Sequence, residues 1–318
     1  MSLIEQAAQR LQQLREAGVE IPDVDGLAGS VSTPGTQTAA VKPATPPTNT
    51  SKLVTLDLDG LMAKGIVTPN APRSVIADQF RVVKRPLITN AMNRGDAAVQ
   101  HSNLIMVTSA LSGEGKSFTS INLAMSIAAE LDHTVMLVDA DVARPSILKV
   151  LGLDPAPGLL EVLEGKADLA GTLLRTNVDK LTILPSGTPH PKATELLASE
   201  AMAALLEDIA TRYSDRIVIF DSPPLLLTTE SRVLASHMGQ IVVVVQAGRT
   251  LQADVQNALA TIESCPIRLM LLNKARAIGK DAYGYGYGYG YGEYGYGYGH
   301  GYGYGYGYGD AAASASKA

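Results

Sequence analysis

The sequence predicts an α/β protein built on a doubly wound, mostly parallel sheet. Between residues 73 and 281, short apolar runs rich in Val, Ile and Leu alternate with segments of helical apolar spacing. These runs do not alternate in polarity, which is typical of strands buried on both faces of a parallel sheet. Six runs predict strands: Leu104–Thr108, Thr134–Val138, Leu181–Leu184, Ile217–Phe220, Ile241–Val245 and Ile267–Leu272.

The segments between these runs predict the helices that connect the strands. Parallel strands need long crossover connections, which are usually helical. Sheets of this kind bind ligands at the carboxyl ends of their strands. The predicted helices are Lys116–Leu131, Lys192–Tyr213, Glu230–His237 and Thr250–Ser264.

The composition fits a chain that folds without disulfide bonds in a reducing compartment. Its 318 residues include one cysteine, Cys265, so no disulfide can form within the chain. The net charge of −5 gives no reason to expect a nucleic-acid partner. No apolar run approaches the roughly 20 residues of a membrane-spanning helix, and the first residues lack a signal-peptide pattern. We therefore expect a cytoplasmic protein.

Composition divides the chain into four predicted segments. Residues 1–20 predict an amphipathic helix, and residues 21–72 predict a disordered linker because they are rich in Pro and Thr. Residues 73–281 contain the predicted α/β domain. Residues 282–318 are dominated by a Tyr-Gly repeat, in which Gly at every second position opposes both helix and packed strand. We expect this tail to be disordered in isolation.

The most informative motif is the loop Ser109-Ala-Leu-Ser-Gly-Glu-Gly-Lys-Ser117, which connects the first predicted strand to the first predicted helix. Its glycines let backbone N–H groups approach phosphate oxygens, and the helix N-terminus adds a favourable dipole. The lysine would contact the β and γ phosphates, and the last serine would bind Mg²⁺. The first glycine of the usual motif is replaced by Ala110. The residues expected to bind ATP are Ser112, Gly113, Glu114, Gly115, Lys116, Ser117 and Phe118.

Carboxylates follow two of the predicted strands directly. Asp139 and Asp141 follow one, and Asp221 follows another. Phosphoryl transfer requires a bound Mg²⁺, charge neutralisation and an aligned nucleophile. We expect Ser117, Asp141 and Asp221 to hold Mg²⁺, and Asp139 to accept the proton of an incoming hydroxyl. Lys116, Asp139 and Asp141 are the expected catalytic residues.

The tyrosines are concentrated in the tail. Of the 13 tyrosines, 12 lie between residues 283 and 308, where the intervening glycines keep each hydroxyl accessible. Behind a phosphate-binding loop, such a cluster is a candidate phosphorylation substrate. The tyrosines are Tyr283, Tyr285, Tyr287, Tyr289, Tyr291, Tyr294, Tyr296, Tyr298, Tyr302, Tyr304, Tyr306 and Tyr308.

Taken together, these motifs resemble the bacterial P-loop tyrosine kinases of capsule and exopolysaccharide systems. The likeness covers residues 73–281 and rests on the phosphate loop, Val135–Asp141, Ile217–Pro224 and the stretch from Pro185 to Glu195-Leu-Leu. The resemblance implies an ATP- and Mg²⁺-dependent protein-tyrosine kinase that phosphorylates its own tail in trans and regulates exopolysaccharide synthesis or export.

The resemblance also implies partners and further site residues. The family's ring-assembly pattern resembles Asp78, Arg81 and Lys84, so a ring-shaped homo-oligomer is expected. Related ATPases place an adenine-reading asparagine where Asn273 stands. The implied partners are a membrane-embedded activator that controls polysaccharide chain length and a phosphotyrosine phosphatase. The protein would then lie at the inner membrane through its partner.

Two other functions remain open from the sequence. One is a partitioning or positioning ATPase of the same superfamily, and the other is a nucleotide-dependent scaffold with an adhesive tail. The positioning ATPases typically carry an extra lysine at the place of Leu111. Its absence favours the kinase.

Overall fold

The computed structural model of the protein describes residues 51–69, 72–95, 98–212 and 215–275. The predicted helix at residues 1–20, most of the predicted linker and the Tyr-Gly tail lie outside the described residues. Within them, eight strands form one sheet. They are β1 (Lys52–Val54), β2 (Leu104–Ser109), β3 (Thr134–Asp139), β4 (Leu174–Thr176), β5 (Leu181–Leu184), β6 (Arg216–Asp221), β7 (Gln240–Gln246) and β8 (Ile267–Asn273).

The strand order is β1-β4-β5-β3-β6-β2-β7-β8, and the six strands from β5 to β8 in this order are parallel. Strand β4 pairs antiparallel with β5, and β1 pairs parallel with β4. The predicted doubly wound, mostly parallel sheet is therefore confirmed. All six predicted strands form, each within a residue of its predicted ends.

Strand β8 differs from the prediction in its burial. It is the outermost strand, and only one of its faces packs on the core, through Leu269 and Leu271. Met270 and Leu272 on its other face are about two-thirds exposed. The prediction of burial on both faces is wrong for this strand.

Ten helices occur in the described residues, and none of them is long and apolar enough to cross a membrane. The predicted helix Lys192–Tyr213 is interrupted at Ala198 and Ser199, so it forms two helices. The helices are α1 (Leu58–Ala63), α2 (Val75–Met92), α3 (Lys116–Ala128), α4 (Ile147–Leu151), α5 (Leu159–Leu163), α6 (Leu169–Thr172), α7 (Ala193–Leu197), α8 (Glu200–Arg212), α9 (Glu230–Ser236) and α10 (Gln252–Ala260).

Two apolar cores lie on opposite faces of the sheet. Helices α1 to α4 contribute to one core, and helices α5 and α7 to α10 contribute to the other. Alternate residues of the central strands enter opposite cores, as Leu104 and Ile105 of β2 do. Side chains along these strands are therefore apolar on both faces, and polar residues gather at the strand ends.

The predicted linker extends too far along the chain. Residues 51–69 are part of the folded domain, because β1 joins the sheet and Leu61 of α1 is 2% exposed in the first core. The backbone of Leu56 exchanges two hydrogen bonds with the side chain of Asn177, at 2.8 and 3.1 Å. Val67 N donates to Asn122 Oδ1 at 2.7 Å. The linker prediction is therefore wrong for this stretch.

Helix α2 carries the three residues predicted to mediate ring assembly. Asp78 and Arg81 form an exposed ion pair at 2.7 Å. Lys84 is 6% exposed, and its Nζ donates to Ser126 O at 2.5 Å and pairs with Glu130 at 2.6 Å. The ammonium of Lys84 therefore joins α2 to α3 within the domain, while the two other side chains remain at the surface.

Truncation of Leu61 tests whether residues 51–69 contribute to the stability of the domain. Leu61→Ala removes a buried side chain and should lower the free energy of unfolding by about 2–5 kcal/mol. Urea denaturation measures this change. Met62→Ala is the matched control, because Met62 lies next in the same helix but is 42% exposed, and its effect should stay within about 0.5 kcal/mol. Equal effects of the two variants would contradict the placement of α1 on the core.

Candidate active site

The phosphate loop follows β2, between the carboxyl ends of β6 and β7. Strand β2 pairs with both of these strands in parallel, so the loops that follow all three strands meet at one edge of the sheet. The loop runs into α3, whose N-cap is Gly115. Gly113 and Gly115 have φ values of +84° and +103°, a left-handed backbone that favours glycine. The loop thus has the strand, the helix and the backbone that phosphate binding requires.

Ala110 replaces a glycine of the usual motif without backbone strain. Its φ is not positive, so this position does not need glycine. Its side chain is fully buried in the second core, and its carbonyl accepts a hydrogen bond from Leu226 N at 3.3 Å. The departure from the motif therefore leaves the left-handed glycines and the helix N-terminus in place.

Lys116 and Ser117 begin α3, where the helix dipole favours an anion. Lys116 is 9% exposed. The hydroxyl of Ser117 accepts a hydrogen bond from the hydroxyl of Ser146 at 2.7 Å. Ser146 belongs to the loop that follows β3, so this contact joins the phosphate loop to the first acidic strand end.

Asp139 and Asp221 are the paired last residues of β3 and β6. Both are almost completely buried. Asp139 Oδ2 accepts N–H groups of Ser146 and Ile147 at 3.0 Å, and Asp221 Oδ1 accepts the Ser120 hydroxyl at 3.0 Å. The other oxygen of each carboxylate has no hydrogen-bond partner among the described residues. Two buried carboxylate oxygens are thus left available to a ligand.

Burial makes both carboxylates hard to ionise. Loss of solvent and the charge of Asp221 raise the pKa of Asp139 to about 7. The hydrogen bonds from the two backbone N–H groups act in the opposite direction and lower this pKa. Burial raises the pKa of Asp221 to about 6. The Ser117 hydroxyl, the Lys116 ammonium and the Ser120 hydroxyl stabilise the charged form and limit this rise. A carboxylate with a pKa near neutrality can exchange protons at working pH.

Asp141 lies two residues beyond β3 and is less buried than Asp139. Burial raises its pKa, against the attraction of Lys116. Its Oδ1 accepts the backbone N–H of Arg144 at 3.1 Å. The structure therefore brings Asp139, Asp141 and Asp221 close to one another, with Asp141 and Asp221 near the ammonium of Lys116, at the edge of the sheet where the strand ends meet.

The arrangement fits a bound Mg²⁺ with few protein ligands. The described residues include no group of three or more His, Cys, Asp or Glu side chains that could hold a metal ion by themselves. Mg²⁺ is usually bound through one or two carboxylates, with water and substrate phosphates completing its shell. The unpartnered oxygen of Asp221, the hydroxyl of Ser117 and the nearby carboxylate of Asp141 match that donor set, which leaves the unpartnered oxygen of Asp139 for a proton.

The other residues predicted to bind the nucleotide differ in their exposure to solvent and in their contacts. Ser112 and Gly113 are exposed at the loop tip, whereas the side chain of Glu114 is 2% exposed and turned into the protein. The ring of Phe118 packs against the first core. Asn273, the predicted adenine reader, donates its amide to Glu114 O at 2.8 Å.

Sequence reasoning missed residues that hold the site without being part of its motifs. The hydroxyl of Thr250 donates to Glu114, and Lys274 Nζ donates to Gly113 O at 2.7 Å. The hydroxyl of Ser120 donates to Asp221, and the backbone N–H of Ser146 donates to Asp139. All four are polar residues close to a strand end or within the first two turns of a helix. Their position in the chain was the available signal, and it does not distinguish them from ordinary caps.

The fold and the site define a P-loop nucleotide-binding protein. A family model described as an AAA domain matches residues 102–271. Tyrosine-protein kinase YwqD of Bacillus subtilis is 29% identical over 225 residues, which cover 70% of this chain and 91% of the relative. Tyrosine-protein kinase CpsD of Streptococcus agalactiae is 33% identical over 181 residues, which cover 55% of this chain and 76% of the relative.

A solved structure agrees with these relatives. The kinase domain of the Escherichia coli tyrosine kinase ETK is 26% identical, with a TM-score of 0.54, and the match covers 73% of this chain and 98% of that domain. The chain belongs to the AAA domain family and, within it, to the bacterial P-loop tyrosine kinases that its motifs resemble.

The raised pKa values predict how stability depends on pH. Both exceed the ordinary aspartate value of 3.8, so between about pH 4 and 7 the folded protein keeps protons that the unfolded chain has released. The free energy of unfolding of the Mg²⁺-free protein should therefore fall as pH rises through this window. Asp139→Asn should flatten the fall and raise the value at pH 8 by about 1–3 kcal/mol.

Urea denaturation at several pH values measures this dependence. Asp132→Asn is the control, because Asp132 is exposed and its replacement should leave the slope unchanged. If the free energy of unfolding of Asp139→Asn differed from that of the parent protein by the same amount at every pH, the assignment of a buried, proton-binding carboxyl would be contradicted.

Proposed function

We propose that the chain transfers the γ-phosphoryl group of ATP to tyrosines in the tail of a second copy of itself. The observation that carries this proposal is the pair of unpartnered, buried oxygens on Asp139 and Asp221. Asp139 is joined to the phosphate loop through Ser146 and Ser117, and Asp221 accepts the hydroxyl of Ser120 in the helix that follows the loop. Family membership supports a tyrosine as the acceptor. The 12 tyrosines of the tail supply that acceptor within the chain.

In this proposal each polar group has one task. The N–H groups of the loop and the ammonium of Lys116 hold the phosphates and neutralise their charge. Ser117, Asp141 and Asp221 would hold Mg²⁺. When bound, Mg²⁺ supplies positive charge to the β and γ phosphates. These groups align the phosphate, and alignment with charge stabilisation provides most of the catalysis in phosphoryl transfer.

Asp139 would accept the proton of the attacking tyrosine. The tyrosine oxygen forms a bond to the γ phosphorus as the bond from that phosphorus to ADP breaks, and the phenolic proton moves to the Asp139 carboxylate. Burial raises the pKa of Asp139, so its ionised form is a stronger base than an exposed aspartate. A cation held by Ser117, Asp141 and Asp221 would favour the ionised form of Asp139, which acts as the base.

The length of the tail supports transfer between copies. The described chain ends at Ala275, two residues beyond Asn273, whose side chain contacts the phosphate loop. An extended chain from Ala275 to Tyr308 spans at most about 115 Å. A domain of this size is about 45 Å across. The tail is therefore long enough to enter the site of an adjacent copy.

Mixing two inactive variants tests transfer in trans. Lys116→Met in the full chain keeps the tail but loses the phosphate-binding ammonium, and a chain ending at Asp281 keeps the site but lacks the tail. With ATP and Mg²⁺, neither variant alone should form tail phosphotyrosine, and the mixture should form it on the Lys116→Met chain. Mass spectrometry of the two chains measures this outcome.

Two outcomes would contradict parts of the proposal. Phosphotyrosine in the wild type with none in the mixture would indicate transfer within one chain. ATP hydrolysis by the wild type without phosphotyrosine, also with the membrane activator added, would favour a positioning ATPase.

We propose that unmodified tails permit assembly and phosphorylated tails oppose it. The exposed pair Asp78 and Arg81 on α2 would contribute to the contact between copies, whereas Lys84 is engaged within the domain. Each phosphate adds a charge of about −1.5 to −2. Twelve phosphates would add roughly −18 to −24, compared with −5 for the whole chain. Repulsion between tails would then separate the copies.

Light scattering on size-separated protein measures this effect. The oligomer should become smaller after complete phosphorylation, and the chain ending at Asp281 should keep its size under the same treatment. Equal oligomer size before and after phosphorylation of the full chain would contradict the switch.

Regulation of exopolysaccharide synthesis or export is the cellular role we propose for this cycle. Its support is the resemblance to kinases of capsule and exopolysaccharide systems. A membrane-embedded chain-length regulator would activate the kinase and hold it at the inner membrane, and a phosphotyrosine phosphatase would reset the tail. Residues 1–50 are the candidate contact with the activator. Unchanged co-purification and activation after their deletion would argue against that contact.

A further inference from the structure

Side chains from the ends of two strands hold the phosphate loop from outside. Thr250 lies in the turn after β7, and Asn273 and Lys274 lie at the end of β8. All three contact the loop at Gly113 or Glu114. We call Glu114, Thr250, Asn273 and Lys274 the loop clamp. None of the four belongs to the acidic cluster described above.

Two contacts of the clamp are to consecutive backbone carbonyls. Asn273 Nδ2 donates to Glu114 O at 2.8 Å, and Lys274 Nζ donates to Gly113 O at 2.7 Å. In a phosphate-binding loop the N–H groups face the anion. The carbonyl oxygens then face away from it and need donors of their own. By holding these two carbonyls, the clamp fixes the direction of the N–H groups on the same peptide units.

A third contact anchors the loop through a buried carboxylate. Glu114 Oε2 accepts Leu111 N at 2.7 Å, which closes the loop on itself, and Glu114 Oε1 accepts the hydroxyl of Thr250. Thr250 Oγ1 in turn accepts the backbone N–H of Gln246 at 3.1 Å. A chain of hydrogen bonds through Glu114 and Thr250 therefore connects the middle of the loop to Gln246 at the end of β7.

Backbone geometry shows that the clamp is tightly constrained. Lys274 has a φ of +56°, a left-handed backbone that residues other than glycine rarely adopt. Such conformations persist where surrounding contacts determine them. A Cβ added to Gly115 would lie 2.1 Å from Asn273 Nδ2, so the amide occupies the space that only glycine leaves open.

We propose that Thr250, Asn273 and Lys274 are positioning residues that preset the phosphate loop for a triphosphate. Asn273 acts on the loop carbonyl and does not select the base. The inference rests on the proposed nucleotide site. It differs from the role that the sequence predicted for Asn273, because an adenine reader would affect one base, whereas the clamp affects every ligand that carries the same phosphates.

Three probes distinguish these roles: ATP, GTP and inorganic tripolyphosphate, each with Mg²⁺ and each titrated calorimetrically against the full chain. Each of the variants Asn273→Ala, Lys274→Met and Thr250→Val should lower the affinity for all three probes by a similar factor, about tenfold. The KM for ATP should rise by a similar factor, while kcat at saturating ATP changes less than about twofold. Lys64→Met, at an exposed lysine after α1, is the matched control and should leave all values unchanged.

Lys274→Gly separates the ammonium from the backbone. Glycine adopts the left-handed conformation readily, so this variant lacks the amine without backbone strain. Losses equal to those of Lys274→Met support the clamp, and Lys274→Arg should restore part of the affinity. Full affinity in Lys274→Gly would overturn the role of the ammonium. The melting temperature without ligand shows whether each variant remains folded.

Other outcomes are equally decisive. A loss for ATP alone in Asn273→Ala, with GTP and tripolyphosphate unaffected, would assign Asn273 to the base and overturn its place in the clamp. Unchanged affinities in all folded variants would overturn the clamp while leaving the proposed kinase intact. Absence of binding of any probe by the wild type would contradict the proposed function and the clamp with it.

Discussion

Parallel pairing of β2 with β6 on one side and β7 on the other is the constraint on which the site depends. It places three carboxyl ends at one edge of the sheet, and β3 beyond β6 adds a fourth. Both faces of these strands are buried, so the residues in the middle of each strand are apolar. Polar residues therefore lie at the strand ends, where Asp139 and Asp221 are paired directly.

The same constraint creates an electrostatic cost. Asp139 and Asp221 are neighbours because their strands are in register, and neither has solvent to stabilise its charge. Two cores of tightly packed aliphatic side chains supply the stability that tolerates this pair. Groups that are costly to the fold are common at functional sites, because the same lack of solvent strengthens their interaction with a cation or a phosphate.

Sequence patterns predicted the parts of this arrangement that are local. Continuous apolar runs marked the central strands, and the residues after them marked the acidic cluster. Strand β1 was missed because it has only three residues and because the contacts that hold this part of the chain are distant in sequence. The hydrogen bond from Leu56, two residues after β1, to Asn177 spans 121 positions. Lys84 was expected at an interface, yet a carbonyl of α3 and Glu130 draw it inward. The clamp joins three separate loops, so no single stretch of sequence displays it.

The position of β8 has a kinetic consequence. Two strand spacings, about 10 Å, separate β8 from β2, which leads into the phosphate loop. The tail follows β8 in the same chain, so the acceptor tyrosines of the proposed kinase are covalently attached to a domain that carries a phosphate loop. Within an assembly the acceptors are present at an effective concentration set by tether length. Dilution of the assembled protein would then leave the rate per copy unchanged, and the reaction would follow first-order kinetics. The enzyme would respond to its state of assembly and not to the amount of free substrate.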